Sequence, residues 1–461
     1  MAQLTARLPT IGRMTLDPSV FKAYDVRGIV PDELDADGVY RIVRAYVDEF
    51  EPHSMAIGRD MRLTSPELCE AAVRGALDAG SDVDDIGLVG TEMLYYAVCE
   101  HGYEGGLIVT ASHNPKQYNG MKIVRRGGLP LGGDGGIEKV RDRALEGDFK
   151  TPKAPGKLGK RDVLEGFAER CLSIVDASAI APLQVVLDGA NGMAGTMMEP
   201  ILDRLPLTAE RCHFDPDGTF PHYQPNPLLE ENRTFIIDEV KRTGADLGIA
   251  WDGDADRCFF IDDTGAFVDG DFLTALLAES ILRKNPGAAI LYDVRASRAV
   301  ADVVDSAGGH AHVNRVGHAF FKTRMRELGA AFGGEVSGHY YFHDFYCADS
   351  GTIPALLILE LLSVEGKRLS ELLEPFRSRY FISGEINSEV ADQEAKMAEI
   401  AERYGDGEQT TLDGISVDYP EWHFNVRPSN TEPLLRLNLE SLVSREDMEA
   451  KRDEVLGLIR A

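Results

Sequence analysis

Short apolar runs recur along the chain, and each breaks off at a turn rich in glycine, aspartate or small polar residues. SMAI (54–57) runs into GRDMR (58–62), GGLIV (105–109) into TASHNP (110–115), and QVVL (184–187) into DGANG (188–192). LGIAW (247–251) runs into DGDADR (252–257), AAILY (288–292) into DVRAS (293–297), and AAF (330–332) into GGEVSGH (333–339). Runs of this length bounded by turn residues predict strands, and apolar residues between them fall at helical spacing. SPELCEAAVRGALDAG (65–80), TFIIDEVKRTG (234–244) and TALLAESILRK (274–284) predict helices, the first with Ser65 as N-cap and Pro66 at the first helical position. GTEMLYYA (90–97) reads as a further strand.

Strands alternating with helices predict an α/β architecture, in which polar turns at the carboxyl ends of strands are the natural places for chemistry. The six turns fall about two per hundred residues, as if one α/β unit had been used three times. TPKAPGKLGK (151–160), with its prolines, glycines and lysines, reads as a linker. Near residue 380 the pattern changes. FISGEINSEV (381–390), EAKMAEIAERYG (394–405), the strand-rich stretch 415–440 and a closing helix predict a smaller α+β domain. The expected boundaries are 1–153, 154–265, 266–379 and 380–461.

A chain of 461 residues is too long for one core and suggests two to four domains. The 48 basic against 76 acidic side chains give a formal net charge of −28, which disfavours nucleic acid as a partner. An anionic substrate then requires arginines and lysines gathered locally in a cleft. The six cysteines are scattered without a CxxC pair, as expected of reduced thiols. No apolar leader or membrane-length segment is visible, so the expectation is a cytoplasmic protein without a membrane partner, a monomer or weak homodimer.

Asp252, Asp254 and Asp256 in DGDADR alternate on a turn, where three carboxylates can converge on one hard cation and repel one another without it. A calcium loop would require glycine at its sixth position and glutamate at its twelfth; Arg257 and Asp263 stand there instead. An all-oxygen site suits Mg²⁺ or Mn²⁺; the plain alternative is a solvated acidic turn. Ser112 in TASHNP lacks the flanking glycines of a hydrolase elbow. It is either a turn former or a phosphate carrier beside that cation, with His113 and Asn114 donating to phosphate oxygens and Pro115 keeping the loop extended. Arg427, Ser429, Asn430 and Thr431 in RPSNTEP offer a phosphate cradle, although SNT is also ordinary turn chemistry. Glu335 and Ser337 in GEVSGH alternate, so both can face one side of an extended loop and grip vicinal hydroxyls; a plain glycine-rich hairpin is the alternative.

Together, KAYDVRG (22–28), TASHNP, DGDADR, GEVSGH and RPSNTEP resemble the α-D-phosphohexomutase superfamily, most closely its phosphomannomutase/phosphoglucomutase group, in family order along nearly the whole chain. The resemblance implies a heart-shaped protein with three related α/β domains on mixed sheets and a C-terminal α+β domain, each lending a loop to a central cleft. It implies that Ser112 is a phosphoserine, that Ser112, Asp252, Asp254 and Asp256 ligate Mg²⁺, and that Glu335, Ser337 and His339 hold the sugar. Arg427, Ser429, Asn430 and Thr431 would hold the distal phosphate; Tyr24, Arg27, His113, Asn114, Lys122 and Arg257 would line the reacting end. The implied reaction interconverts hexose 1-phosphate and hexose 6-phosphate of mannose or glucose through a hexose 1,6-bisphosphate, which serves as intermediate and activator.

Three departures qualify this picture. Arg295 stands where related enzymes often have lysine; arginine clamps an oxyanion but shuttles protons poorly, which shifts the general acid/base expectation to His318. Glu92 stands where many relatives have proline, and residues 1–17 carry no assigned role. The other readings are a phosphoglucosamine mutase, a metal-dependent sugar phosphatase or an inactive sugar-phosphate sensor. RPSNTEP differs from the SGTE form associated with the first, no histidine-rich second metal cluster supports the second, and the intact serine and aspartates disfavour the third.

Overall fold

The computed structural model describes residues 16–132, 135–429 and 434–461. The first sheet holds β1 (Val26–Ile29), β2 (Ser54–Arg59), β3 (Asp82–Leu88), β4 (Gly105–Val109), β5 (Tyr118–Arg125), β6 (Leu129–Pro130) and β7 (Leu158–Lys160), in the order β1-β5-β4-β2-β3-β7 with β6 on β5. The second holds β8 (Gln184–Asp188), β9 (Thr208–Cys212), β10 (Leu247–Trp251) and β11 (Cys258–Ile261), in the order β11-β10-β8-β9. The third holds β12 (Ala289–Asp293), β13 (His310–Asn314), β14 (Phe332–Gly334), β15 (Tyr340–Phe342) and β16 (Ala348–Asp349), in the order β13-β12-β14-β15-β16.

These three sheets are mixed in the same way. A parallel strand turns back into an antiparallel partner: β4 into β5, β10 into β11 and β14 into β15. The segments between are 110–117, 252–257 and 335–339, so three expected site loops occupy equivalent places in three sheets. The fourth sheet is antiparallel. It comprises β17 (Phe381–Ile382), β18 (Ile386–Glu389), β19 (Glu408–Thr410), β20 (Ile415–Asp418), β21 (Trp422–Pro428) and β22 (Leu434–Ser441). Ser429 follows β21 directly.

The core decides how rigidly these units sit. One apolar cluster runs from Met93 and Tyr96 through Phe167, Met197 and Trp251 to Leu356, so the first three units share buried surface. The fourth unit buries its own cluster around Ile400, Val417, Phe424, Leu437 and Val455. It meets the third unit through polar contacts such as Arg298 Nη2 to Asp418 Oδ1 at 2.9 Å, and its Ile382 and Leu442 pack against the shared apolar cluster.

Three local expectations need correction. Residues 91–100 form a helix, Thr91–Glu100, and not a strand; Thr91 to Val98 are buried on every side, which removes the period that separates the two structures. In the helix Ser65–Asp78 the N-cap position is Thr64, whose side chain makes no capping bond, and Ser65 is the first helical residue; its N bonds Arg62 O at 3.0 Å and its hydroxyl donates to Asp60 Oδ1 at 2.5 Å. The expected linker 151–160 ends in β7, which pairs parallel to β3 and extends the first sheet.

Candidate active site

Ser112 sits just beyond β4 with φ +46°, a left-handed backbone that costs a non-glycine residue about 1–3 kcal/mol unless its surroundings impose it. Thr110 Oγ1 accepts from Ser112 N at 3.0 Å, and Asn114 N donates to Ala111 O at 2.9 Å. This conformation aims the Ser112 hydroxyl at the second unit, where it donates to Asp252 Oδ2 at 2.6 Å; His113 Nδ1 lies 3.2 Å from Ser112 Oγ. The two loops pack so closely that a Cβ on Gly253 would lie 2.4 Å from Ser112 O, so the glycine of DGDADR is required by the approach.

Asp252, Asp254 and Asp256 are fully buried, and one oxygen of each lies within 4.8 Å of the others. Burial and the charges of Asp254 and Asp256 push the Asp252 pKa well above the carboxylate range. Burial also acts against an ionised Asp254, but the Lys122 ammonium, with Thr91 and Arg27, holds its pKa down. Lys122 Nζ donates to Asp254 Oδ2 at 2.8 Å and to Asp256 Oδ2. Oδ1 of Asp254 and Oδ1 of Asp256 have no hydrogen-bond partner although both are buried. Hard oxygen donors that are close, buried and unsatisfied fit a small divalent cation.

The residues expected at the reacting end share a cavity of about 640 Å³, lined by Tyr24, Arg27, Ser112, His113, Asn114, Lys122, Arg257, His318 and His339, among others. Arg257 Nε stands 3.8 Å from Asp252 Oδ2, and Arg27 pairs with Asp25. His318 was expected to titrate in the working range. Instead burial and the Lys322 ammonium push its pKa well below the ordinary histidine value, so it is a neutral base at pH 7. Burial with Arg257 and Arg27 does the same to His113.

Lys22 and Tyr24 also line a neighbouring cavity of about 510 Å³ with Arg427, Ser429 and Arg436. Arg436 in turn borders a third of about 970 Å³ that holds Arg295, Ser337 and Glu385. Arg295 grips Asp293 through Nε and Nη2 at 2.9 and 2.8 Å, and its Nη1 reaches Glu385 Oε2 at 3.3 Å. Arg427 Nη2 and Arg436 Nη1 meet Glu385 at 3.2 and 2.9 Å. Three guanidinium groups thus converge on one carboxylate, whose pKa they lower to about 2 against the opposing effect of burial. Asn430 and Thr431 lie outside the described residues.

The expected common face for Glu335 and Ser337 is not observed. Gly338 N bonds Glu335 O at 3.0 Å, so the segment is a turn and the alternation of an extended strand is lost. Glu335 is 1% exposed, and its carboxylate accepts from Gly317 N at 2.7 Å and from Tyr341 Oη at 2.5 Å. Ser337 lines the Arg295 cavity, while His339 lies in the Ser112 cavity, 3.2 Å from Asp349 Oδ2.

Sequence reasoning missed Thr91, whose hydroxyl donates to Asp254 Oδ2 at 2.5 Å. The apolar run IGLV (86–89) ending at Gly90-Thr91 repeats the strand-then-turn pattern and carried that signal. Glu385 was also missed; an isolated glutamate in a short strand-like stretch gives none.

Four family models match the chain: phosphoglucomutase/phosphomannomutase α/β/α domain I over residues 18–151, domain II over 164–265, domain III over 269–380, and the C-terminal domain over 385–458. The chain is 44% identical over 450 residues to a phosphomannomutase of Escherichia coli, covering 95% of this chain and 99% of the relative. It is 44% identical over 442 residues to a protein of Xanthomonas campestris pv. campestris (strain B100) named phosphohexose mutases, covering 95% and 99%. Its fold matches the crystal structure of a phosphoglucomutase/phosphomannomutase family protein from Burkholderia thailandensis with a TM-score of 0.87 at 33% identity, over 96% of this chain and 97% of that one. No helix among the described residues is long and apolar enough to cross a membrane.

Proposed function

The chain belongs to the phosphoglucomutase/phosphomannomutase family of the α-D-phosphohexomutase superfamily and is a sugar-phosphate mutase, an isomerase; from that premise we propose that it interconverts the 1- and 6-phosphates of mannose and glucose through a phosphoserine at Ser112. The observation that carries this reading is the 2.6 Å contact between the Ser112 hydroxyl and Asp252 inside the buried acidic triplet. Buried carboxyl oxygens left without hydrogen-bond partners around one serine hydroxyl fit a site that holds a cation beside a seryl phosphate.

Asp252, Asp254, Asp256 and the seryl phosphate would hold Mg²⁺. When bound, the ion cancels part of the phosphate charge and polarises phosphorus toward transfer. In the first half-reaction a sugar hydroxyl oxygen attacks phosphorus and gives its proton to a base, while the P–Oγ bond breaks and the departing Oγ takes up a proton, giving the hexose 1,6-bisphosphate and a free Ser112 hydroxyl. Neutral His318 and His113 line the cavity as acceptors, His113 being 3.2 Å from Oγ. After the bisphosphate turns end for end, Ser112 Oγ gives up its proton and attacks the other phosphorus, the sugar O–P bond breaks, and the released sugar oxygen takes up a proton.

Arg27, Lys122 and Arg257 face the transferred group, and Arg427 with Ser429 forms the niche for the distal phosphate. The shared lining by Tyr24 makes the two niches adjacent, as a substrate held by both ends requires. A coupled assay of mannose, glucose and glucosamine 1-phosphates with a trace of bisphosphate tests this. Turnover of the mannose and glucose esters with phosphate found on Ser112 is expected. Preference for the glucosamine ester rejects the substrate assignment, and an unphosphorylated Ser112 rejects the mechanism.

A further inference from the structure

GRDMR is a strand-end turn that the chemistry above leaves without a task, yet its Arg62 is among the most enclosed side chains in the molecule, 1% exposed. The guanidinium donates to four main-chain carbonyls of one segment. Nη2 reaches Ser112 O at 2.8 Å and Asn114 O at 2.7 Å; Nη1 reaches Pro115 O at 2.9 Å and Tyr118 O at 3.0 Å. Asp60 Oδ2 stands 3.3 Å from Arg62 Nε, and Asp60 Oδ1 accepts from Arg62 N at 3.0 Å. On the other side the ring of Phe220, from the second unit, lies 5.1 Å from the guanidinium carbon. A Cβ on Gly218 would meet Met61 O at 2.4 Å, so that unit presses directly on the turn.

We propose that Arg62 is the positioning residue of the serine loop: it holds residues 110–118 in the one conformation that aims Ser112 Oγ at Asp252, and through Phe220 it ties that aim to the second unit. Four carbonyl oxygens directed at one point repel one another without a cation between them. Arginine offers planar, forked N–H donors that serve all four at once, whereas lysine offers a single charged nitrogen that reaches fewer. The left-handed backbone at Ser112 persists because this cation over-determines it. The catalytic consequence rests on the phosphoserine reading; the grip on the loop does not.

Arg62→Lys keeps the charge and removes the fork. Amide hydrogen exchange, steady-state kinetics and phosphate incorporation into Ser112 from a hexose 1,6-bisphosphate are measured on the full chain. Exchange in 110–118 should quicken by about 10-fold or more while the strands of the first sheet keep their rates. kcat should fall about 100-fold, the scale set by a misplacement of about 1 Å, with KM within about 3-fold. Phe220→Ala should loosen the same segment to a smaller degree, and it decides the matter if Arg62→Lys does not fold. Unchanged exchange of 110–118, or quickening spread evenly over the first unit, overturns the proposal. If wild-type Ser112 takes no phosphate while Arg62→Lys still loosens the loop, the phosphoserine reading fails and the positioning role stands.

Discussion

Ser112 Oγ and Asp252 Oδ2 lie 2.6 Å apart although 140 positions separate them in the chain. The contact joins the first unit to the second through a serine in a left-handed backbone and a glycine that leaves room for it. Ser112→Ala removes the hydroxyl and nothing else of volume. Turnover should fall by about 10³-fold or more with the melting temperature within a few degrees of wild type. Near-normal rates in the coupled assay would reject the phosphate-carrier role.

Thr91 holds Asp254 from behind, with Oγ1 to Oδ2 at 2.5 Å. Partners of this kind orient a metal-ligating oxygen, and losing one typically weakens metal affinity about 10–100-fold. Thr91→Val should do so in a Mn²⁺ titration, and Asp254→Asn should do so more strongly. Equal affinity in all three proteins would remove the triplet as the cation site.

Arg295 uses both edges of its guanidinium, two bonds to Asp293 and one to Glu385. A lysine cannot make all three. Arg295→Lys should therefore loosen the arginine cluster at Glu385 and raise KM for the hexose 1-phosphate by about 10-fold while kcat changes little. A fall in kcat at unchanged KM would place Arg295 in the transfer step instead.

Asp271 is buried beside Asp269, and burial first, then that neighbouring charge, raises its pKa from 3.8 to about 8. Its carboxyl accepts from Ser297 N at 2.7 Å. The folded chain thus keeps a proton that the unfolded chain has already released, so stability falls as pH rises between those two values. Asp271→Asn keeps the acceptor and removes the titration. It should melt like wild type near pH 4 and at least about 1 °C higher near pH 8, the equivalent of roughly 1 kcal/mol for a chain of this length. Parallel melting curves across that range would refute the buried acid.

Much of this site was legible in one dimension. Asp252, Asp254 and Asp256 alternate on one short turn, TASHNP and DGDADR each follow an apolar run, and a strand that ends in a polar turn delivers that turn to the sheet edge whatever surrounds it. Local periodicity and composition fix such features because they depend on neighbours a few residues away. That same locality explains the failures. Thr91–Glu100 lost its helical signature because it is buried on all faces, and Glu335 and Ser337 parted because a turn replaced the extended loop their alternation assumed.

What only the tertiary structure decided is which distant groups share a volume. Thr91 on Asp254 and Glu385 among three arginines arise from packing between units, Arg62 under the serine loop from two distant turns of the first unit, and the neutral state of His318 from burial beside Lys322. Side-chain hydrogen bonds act over about 3 Å, and burial changes a charge only after neighbours have excluded water. The chain order therefore named the chemistry, and the contact of separate sheets set its geometry and charge.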